Sequence, residues 1–256
     1  MELWDLHSQE EQELLYLRDT YARAANLWMR DDLDQNKQHA EGWYLWKLHG
    51  PLMEIFSALP NVQLSATDLR ARNNGFDDKH DILVRHTVYP IDVIVVEAKK
   101  HKQKGPREID SDKIARTMTA TLNKMLEQVP QNARDRYRAE MRSYGILNSG
   151  LGVALLEARF MDEIPVVYFV RQFEVPAGAL VCHEFVQGLV FMIAFKNLVR
   201  DFLNEYSQIL SNTTPTSSPG HVFEEDQEEE EEEEDDDDAG VDNGAGAGEV
   251  SDGGTC

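Results

Sequence analysis

One stretch, Ile91 to Lys99 (IDVIVVEAK), restricts the fold more than any other part of the sequence. The side chains of a β-strand alternate between its two faces, so Val93, Val95 and Glu97 share one face while Ile94 and Val96 share the other. Both faces are largely apolar until Glu97. A strand of this kind is buried on both sides, which predicts a central strand in a sheet that helices cover.

The other elements follow from hydrophobic periodicity and from turn residues. Ser8 to Glu11 (SQEE) matches a capping box, and a long amphipathic helix should run from there to about Arg30. Gly50-Pro51 is predicted to break a second helical stretch, and a short helix should follow it. The further predictions are strands at 62–72, 81–88, 91–99, 144–147, 153–159 and 166–175, and helices at 52–59, 109–128, 132–141 and 183–210. This order predicts one α/β domain over residues 1–210, with a mixed central sheet flanked by helices.

The end of the chain differs sharply in composition from the rest. The protein carries a net charge of −22, and 17 of its 47 acidic residues lie after His221, where there is no Lys or Arg. Residues 1–221 are therefore only mildly acidic, with a net charge of −5. A polar segment of this kind buries too little apolar surface to offset its ordering entropy. Residues 211–256 are thus predicted to be a disordered linker and acidic tail.

Several classes of protein are not indicated by the sequence. The N-terminus lacks the pattern of a signal peptide, and the most apolar window, 178–199, is interrupted by charged residues, which favours a buried helix over a membrane span. Two cysteines, Cys182 and Cys256, do not make a disulfide framework. The eight histidines lack zinc-ligand spacing, and Trp28, Trp43 and Trp46 are predicted to be core residues. An intracellular protein without a membrane partner is expected.

Charged residues stand where the central strand ends. In the predicted hairpin of strands 81–88 and 91–99, Asp81 lies near the open end, close to Glu97 and Lys99. Two carboxylates can hold Mg²⁺, which activates water and neutralises charge on a phosphate, and an adjacent ammonium can stabilise the transition state. The sequence therefore predicts a catalytic site of Asp81, Glu97 and Lys99. The alternative interpretation is a strand end with solvated charges.

These residues also carry a resemblance. Asp81, followed by Glu97-Ala98-Lys99 after an apolar run, resembles the PD-(D/E)xK nuclease superfamily, which has the restriction-endonuclease-like fold. The order of a leading helix, a three-stranded meander, a crossover helix and a further strand is similar to that family's core. The resemblance implies Asp81 and Glu97 as ligands of Mg²⁺ or Mn²⁺, Lys99 as the catalytic lysine, and hydrolysis of nucleic acid.

The sequence departs from the superfamily's motif at one position and leaves the choice of some ligands undecided. His80 stands where the superfamily's name places a proline, and Asp77 and Asp78 compete with Asp81 for the role of ligand. In some members the leading helix supplies a further acid; Glu10, Glu11, Glu13 and Asp19 are available here, and Glu13 is the one named.

A basic cluster follows the motif. It consists of Lys99, Lys100, Lys102, Lys104 and Arg107, and it is predicted to contact the backbone of DNA or RNA. Two other interpretations stay open for it, a short nuclear-localisation patch and a solvated loop before the next helix.

The alternative function belongs to a different class. An inactive nuclease-like fold would serve as a non-catalytic interaction protein, whose acidic tail binds basic partners such as histones.

Overall fold

The computed structural model describes residues 8–34, 39–71, 79–99 and 107–213, without the side chains of 67–69, 99, 107–111 and 181. All of these residues fall in one compact unit, Met1–Pro215. The α-helices are α1 (Gln9–Met29), α2 (Glu41–Tyr44), α3 (Gly50–Met53), α4 (Arg107–Gln128), α5 (Arg134–Tyr137) and α6 (Cys182–Thr213). The strands are β1 (Val62–Arg70), β2 (Lys79–His86), β3 (Asp92–Lys99), β4 (Arg142–Ser149), β5 (Gly152–Met161) and β6 (Ile164–Glu174).

The first helix begins as its sequence predicts. The hydroxyl of Ser8 accepts a hydrogen bond from the backbone of Glu11, and the Glu11 carboxylate accepts one from the backbone of Ser8. Both bonds satisfy amide groups that have no partner within the helix. The capping box is therefore confirmed, and α1 ends one residue before the predicted end at Arg30.

The predicted break at Gly50-Pro51 is wrong. A π-helical turn, Leu45–His49, joins α2 to α3, and Gly50 keeps helical dihedral angles of φ −52° and ψ −54°. Proline lacks an N–H group, and its ring crowds the carbonyl of the preceding turn. The wider π turn, in which the Gly50 amide bonds to the carbonyl of Leu45, provides room before Pro51. The chain then continues helically through a 3₁₀ turn, Glu54–Ala58.

The six strands form one sheet in the order β1-β2-β3-β4-β5-β6. The pairing of β3 with β4 is parallel, and the other neighbours are antiparallel. Parallel neighbours need a crossover connection, and α4 provides it. The predicted mixed sheet is thus confirmed, and β3 lies inside it, where Val93 and Val95 are fully buried.

Helices cover both faces of β3. On one face, Val95 pairs with Gly145 of β4, where a β-carbon would come within 2.7 Å of Met118 and 2.9 Å of Ile114. Because Met118 and Ile114 belong to α4, this helix covers the face that carries Val95 and Glu97. The absence of a side chain at position 145 lets helix and sheet approach closely.

On the opposite face, α6 packs against the sheet. Tyr144 of β4 pairs with Ile94 and makes edge-to-face contacts with Phe195 and Phe202 of α6. Phe56, in the 3₁₀ turn, also contacts Phe195. The 3₁₀ turn and α6 therefore pack together on this second face of the sheet.

Some predictions differ from the structure in detail. The hairpin strand predicted at 81–88 is Lys79–His86, and the polar helix predicted at 132–141 is a series of 3₁₀ and α turns, 131–140. Trp28 is in the core as predicted, with 6% of its surface exposed, but Trp46 is 60% exposed. The periodic pattern that predicted Trp46 as a core residue assumed a regular α-helix, whereas this residue lies in the π turn.

The linker and tail predicted at 211–256 lie outside the described residues from 214 onward, and residues 211–213 still belong to α6. Among the described helices, none is both long and apolar enough to cross a membrane.

Candidate carboxylate site

The buried carboxylate of Glu97 lies at the end of β3, on the face that α4 covers. Only 5% of Glu97 is exposed. Its Oε1 atom lies 2.6 Å from Nδ1 of His80 and 2.7 Å from Nζ of Lys113. A buried carboxylate is stable only where hydrogen bonds or opposite charges compensate its lost hydration. His80 and Lys113 provide this compensation.

His80 connects Glu97 to α4. Its second ring nitrogen, Nε2, lies 3.1 Å from the hydroxyl of Thr117. His80 is 1% exposed and Thr117 is fully buried. A ring held at both nitrogens cannot turn without losing a hydrogen bond, so Thr117 fixes the orientation of His80, and His80 in turn fixes Oε1 of Glu97.

Lys113 is held less completely. It lies one helical turn before Thr117, so both side chains leave the same side of α4. Its ammonium also donates a hydrogen bond to the carbonyl of Lys79, at the start of β2. The side chain of Lys113 remains 19% exposed, against 7% for that of Glu97.

Asp81 is the second carboxylate of the site. Its Oδ2 accepts a hydrogen bond of 2.6 Å from the backbone amide of Ala98. Burial raises the pKa of Asp81 to about 6, and the negative charges of Glu97 and Glu41 act in the same direction. The Ala98 amide and the Lys113 ammonium oppose this increase in pKa without cancelling it. Asp81 and Glu97 therefore interact through their charges.

The contacts differ from the predicted geometry, in which Asp81 stands beside Glu97. Ile82 pairs with Val96, so regular alternation would place His80 on the face that α6 covers. His80 instead reaches α4 on the other face. The register of β1 against β2 also shifts here, between Ala66 and Leu69. The irregular end of β2 thus places His80 against Glu97, and Asp81 against the β3 backbone.

The other predicted site residues have different outcomes. Lys99 is the last residue of β3, but its side chain is outside the described part of the structure. Asp77, Asp78 and the basic residues Lys100, Lys102 and Lys104 lie outside the described residues, and Arg107 is described only as the first residue of α4.

Glu13 belongs to a different contact. Its Oε1 lies 2.7 Å from Nζ of Lys196 on α6. Burial raises the pKa of Glu13, but the hydrogen bonds from Lys196 and Gln9 outweigh that effect, and the pKa is lowered overall. The structure therefore pairs Glu13 with α6, and its predicted role as a further acid of the site has no contact to support it.

The residues present meet one requirement of a divalent cation. Among the described residues, no hydrogen bond reaches Oδ1 of Asp81 or Oε2 of Glu97. Mg²⁺ is commonly held by one or two carboxylates and keeps several waters, so the chemistry of these two oxygens suits it. Over the same residues, no group of three or more His, Cys, Asp and Glu is arranged to hold a metal. The protein would thus contribute two ligands.

The contacts also follow the order of a nucleophile–base–acid triad. The Thr117 hydroxyl meets one nitrogen of His80, and the Glu97 carboxylate meets the other. In such a triad the hydroxyl attacks the substrate, so the substrate must reach it. Thr117 is fully buried between α4 and the sheet. Nucleophilic catalysis by Thr117 is therefore excluded, and its contact with His80 is a structural one.

Sequence reasoning missed three residues of this site: His80, Thr117 and Lys113. One signal was available for Thr117, because it lies between Ile114 and Met118 on the apolar side of α4. A polar residue in such a position requires a buried partner. No local signal identifies that partner as His80.

Replacing Asp81 with Asn tests the electrostatics of the site. Asp81 has a pKa of about 6 when folded and of 3.8 as a free side chain, so the folded protein binds the proton more tightly. Stability from Asp81 is therefore lost as the pH rises from about 4 to 6. A pKa raised by about 2 corresponds to about 2.7 kcal/mol, which we reduce to about 1–2 kcal/mol because the carboxyl is partly exposed.

We expect Asp81→Asn to stabilise the protein by that amount at pH 7.5 and by only about a third as much at pH 4.5. Urea denaturation of both proteins in the presence of a chelator measures the difference. Asp135→Asn is the control, because the side chain of Asp135 is 97% exposed. An equal effect of Asp81→Asn at both pH values would contradict the raised pKa.

The fold and the site together define a mixed α/β domain that carries a buried carboxylate at the end of its central strand. Comparison of the chain with protein-family models, with curated proteins and with solved structures found no match.

Proposed function

We propose that this protein hydrolyses phosphodiester bonds of nucleic acid, with Mg²⁺ or Mn²⁺ held by Asp81 and Glu97. The observation that carries the proposal is that the carboxylate of Asp81 bonds to the backbone of Ala98, next to the buried Glu97, at the end of β3. Burial raises the pKa of Asp81 to about 6, and the charge of Glu97 adds to this effect. Two carboxylates that repel each other in a partly buried site are costly unless a cation neutralises them, and perturbed carboxylates of this kind are common in functional sites.

The arrangement of strands and helices supports the same proposal. A leading helix, the meander β1-β2-β3, the crossover helix α4 and the parallel strand β4 follow the order that the resemblance to the PD-(D/E)xK nuclease superfamily implies. In this order the predicted motif falls on the end of β3, at the edge of a buried layer.

Each residue of the site has a separate part in this proposal. A bound Mg²⁺ or Mn²⁺ would acidify a water molecule and neutralise charge on the phosphate. Glu97 is held in one orientation by His80, and Asp81 by the amide of Ala98. Asp81 binds a cation only after it loses its proton, so activity should rise as the pH passes 6.

Cleavage assays on plasmid DNA, single-stranded DNA and RNA test the proposal. We expect the wild type to cleave at least one of them with Mg²⁺ or Mn²⁺ and none with a chelator. Asp81→Asn and Glu97→Gln should each reduce the rate by about 100-fold or more, since each removes a charged ligand. Asp135→Asn should leave the rate unchanged, and circular dichroism shows whether each variant is folded.

One observation favours the second candidate function, a non-catalytic interaction protein. Oε1 of Glu97 already has two partners, His80 and Lys113, and this internal ammonium compensates the buried charge without a metal. If the wild type cleaves none of the substrates with either cation, the nuclease proposal fails and this alternative is supported.

A further inference from the structure

We propose that the ammonium of Lys113 and a divalent cation compete for the same carboxylate, so that Lys113 regulates the loading of the site. This inference rests on the proposed function, because it concerns the cation that Asp81 and Glu97 would hold. Lys113 would act as a positioning residue, through Glu97.

The first argument is the position of the ammonium. Nζ of Lys113 lies 2.7 Å from Oε1 of Glu97, which is the distance of a charge-assisted hydrogen bond. Glu97 is 5% exposed, so little water surrounds this contact. Two positive charges attached to one buried carboxylate repel each other strongly, because the local dielectric constant is low. A cation bound to Glu97 therefore weakens the ion pair between Lys113 and Glu97. For the same reason, this ion pair weakens the binding of the cation.

The second argument is that Lys113 is free to leave and His80 is not. The His80 side chain is completely buried, and Thr117 holds its second nitrogen. The Lys113 side chain is 19% exposed, and its four-carbon chain can carry the ammonium into solvent. Its other partner is a backbone carbonyl, that of Lys79. Lys113 is thus the partner of Glu97 that a cation would displace.

The third argument is that the positive charge of Lys113 acts on Asp81 as well as on Glu97. The ammonium of Lys113 contacts Glu97 and also the carbonyl of Lys79, two residues before Asp81, so its positive charge acts at the ends of both strands that carry the carboxylates. Removal of this charge would leave the pair more negative. Replacement of Lys113 by an uncharged residue should therefore make the site bind a cation more tightly.

Calorimetric titration of the full chain with Mn²⁺ at pH 7.5 tests the competition. We expect Lys113→Met to bind Mn²⁺ at least about tenfold more tightly than the wild type, as one charge at close range allows. Lys113→Arg should restore the wild-type affinity, since a guanidinium can also hold Glu97. Lys124→Met is the control, because Lys124 is an exposed lysine of the same helix. Equal, weaker or absent binding in Lys113→Met would overturn the inference.

A second measurement does not depend on the folding of a variant. In the wild type, the ε-carbon resonance of Lys113 should move towards that of a solvated lysine when Mg²⁺ is added, while that of Lys124 stays in place. A Lys113 resonance that does not respond to saturating Mg²⁺ would overturn the competition.

The two proposals can fail separately. Tighter Mn²⁺ binding by Lys113→Met in a protein that cleaves no nucleic acid would overturn the nuclease function and support the competition. Cleavage by the wild type together with an unchanged Mn²⁺ affinity in Lys113→Met would overturn the competition alone.

Discussion

Replacing Glu97 with Ala should lower the free energy of unfolding by about 3 kcal/mol, the lower end of the usual cost of removing one partner of a buried charge pair, because the side chain of Lys113 is 19% exposed. The substitution removes the shared acceptor of the completely buried ring of His80 and of the ammonium of Lys113, which can turn towards solvent. Glu97→Gln should cost less, because its amide oxygen still accepts a hydrogen bond. Urea denaturation at pH 7.5 gives both values.

A surface pair provides the control for this experiment. Glu54 lies 2.6 Å from Arg23, but the two side chains are 45% and 50% exposed. Water replaces such a contact readily, so Glu54→Ala should cost less than about 1 kcal/mol. An equal or smaller loss of stability for Glu97→Ala than for Glu54→Ala would contradict the contacts of Glu97 with His80 and Lys113.

Replacing Glu13 with Ala should destabilise the protein by about 3 kcal/mol, since it leaves a buried ammonium without its partner. Lys196 is 3% exposed and donates to Glu13 across the interface of α1 and α6. The cost lies at the lower end of the usual range because the side chain of Glu13 is 20% exposed. Urea denaturation measures this cost as well.

Glu13→Ala also separates structure from function. Because Glu13 has its contacts with α6, its loss should leave the affinity for Mn²⁺ unchanged. Asp19→Ala is the matched control on α1, since Asp19 pairs only with its exposed neighbour Arg18 in the described contacts. A fall in Mn²⁺ affinity for Glu13→Ala in a folded protein would return this residue to the site.

The elements that were predicted well are those that local chemistry specifies. The capping box at Ser8 depends on residues three positions apart, and α1 begins where it indicates. The strand β3 is apolar on both faces and is central in the sheet, as its composition requires. The helix across Gly50-Pro51 was missed because a π turn depends on packing around it rather than on residue propensity.

The candidate site was predicted in part. The sequence indicated that Glu97 would emerge at the edge of a buried layer, and it lies there. The contacts of Glu97 were not predicted, because its partners come from β2 and α4, 17 positions before it and 16 after it. Regular alternation along β2 predicts that Asp81 faces Glu97. A local irregularity of this strand instead brings its neighbour His80 to Glu97 and leaves Asp81 on the backbone of β3.

The sequence by itself determined the mixed α/β class, the central position of β3 and the location of an acid where that strand ends. Each of these follows from periodicity and burial, which act over a few neighbouring residues. Only the tertiary structure decided that Lys113 and His80 hold Glu97, while Asp81 bonds to the backbone of Ala98. Such contacts depend on strand register and on how α4 packs against the sheet, and both are set by the whole core rather than by any one segment.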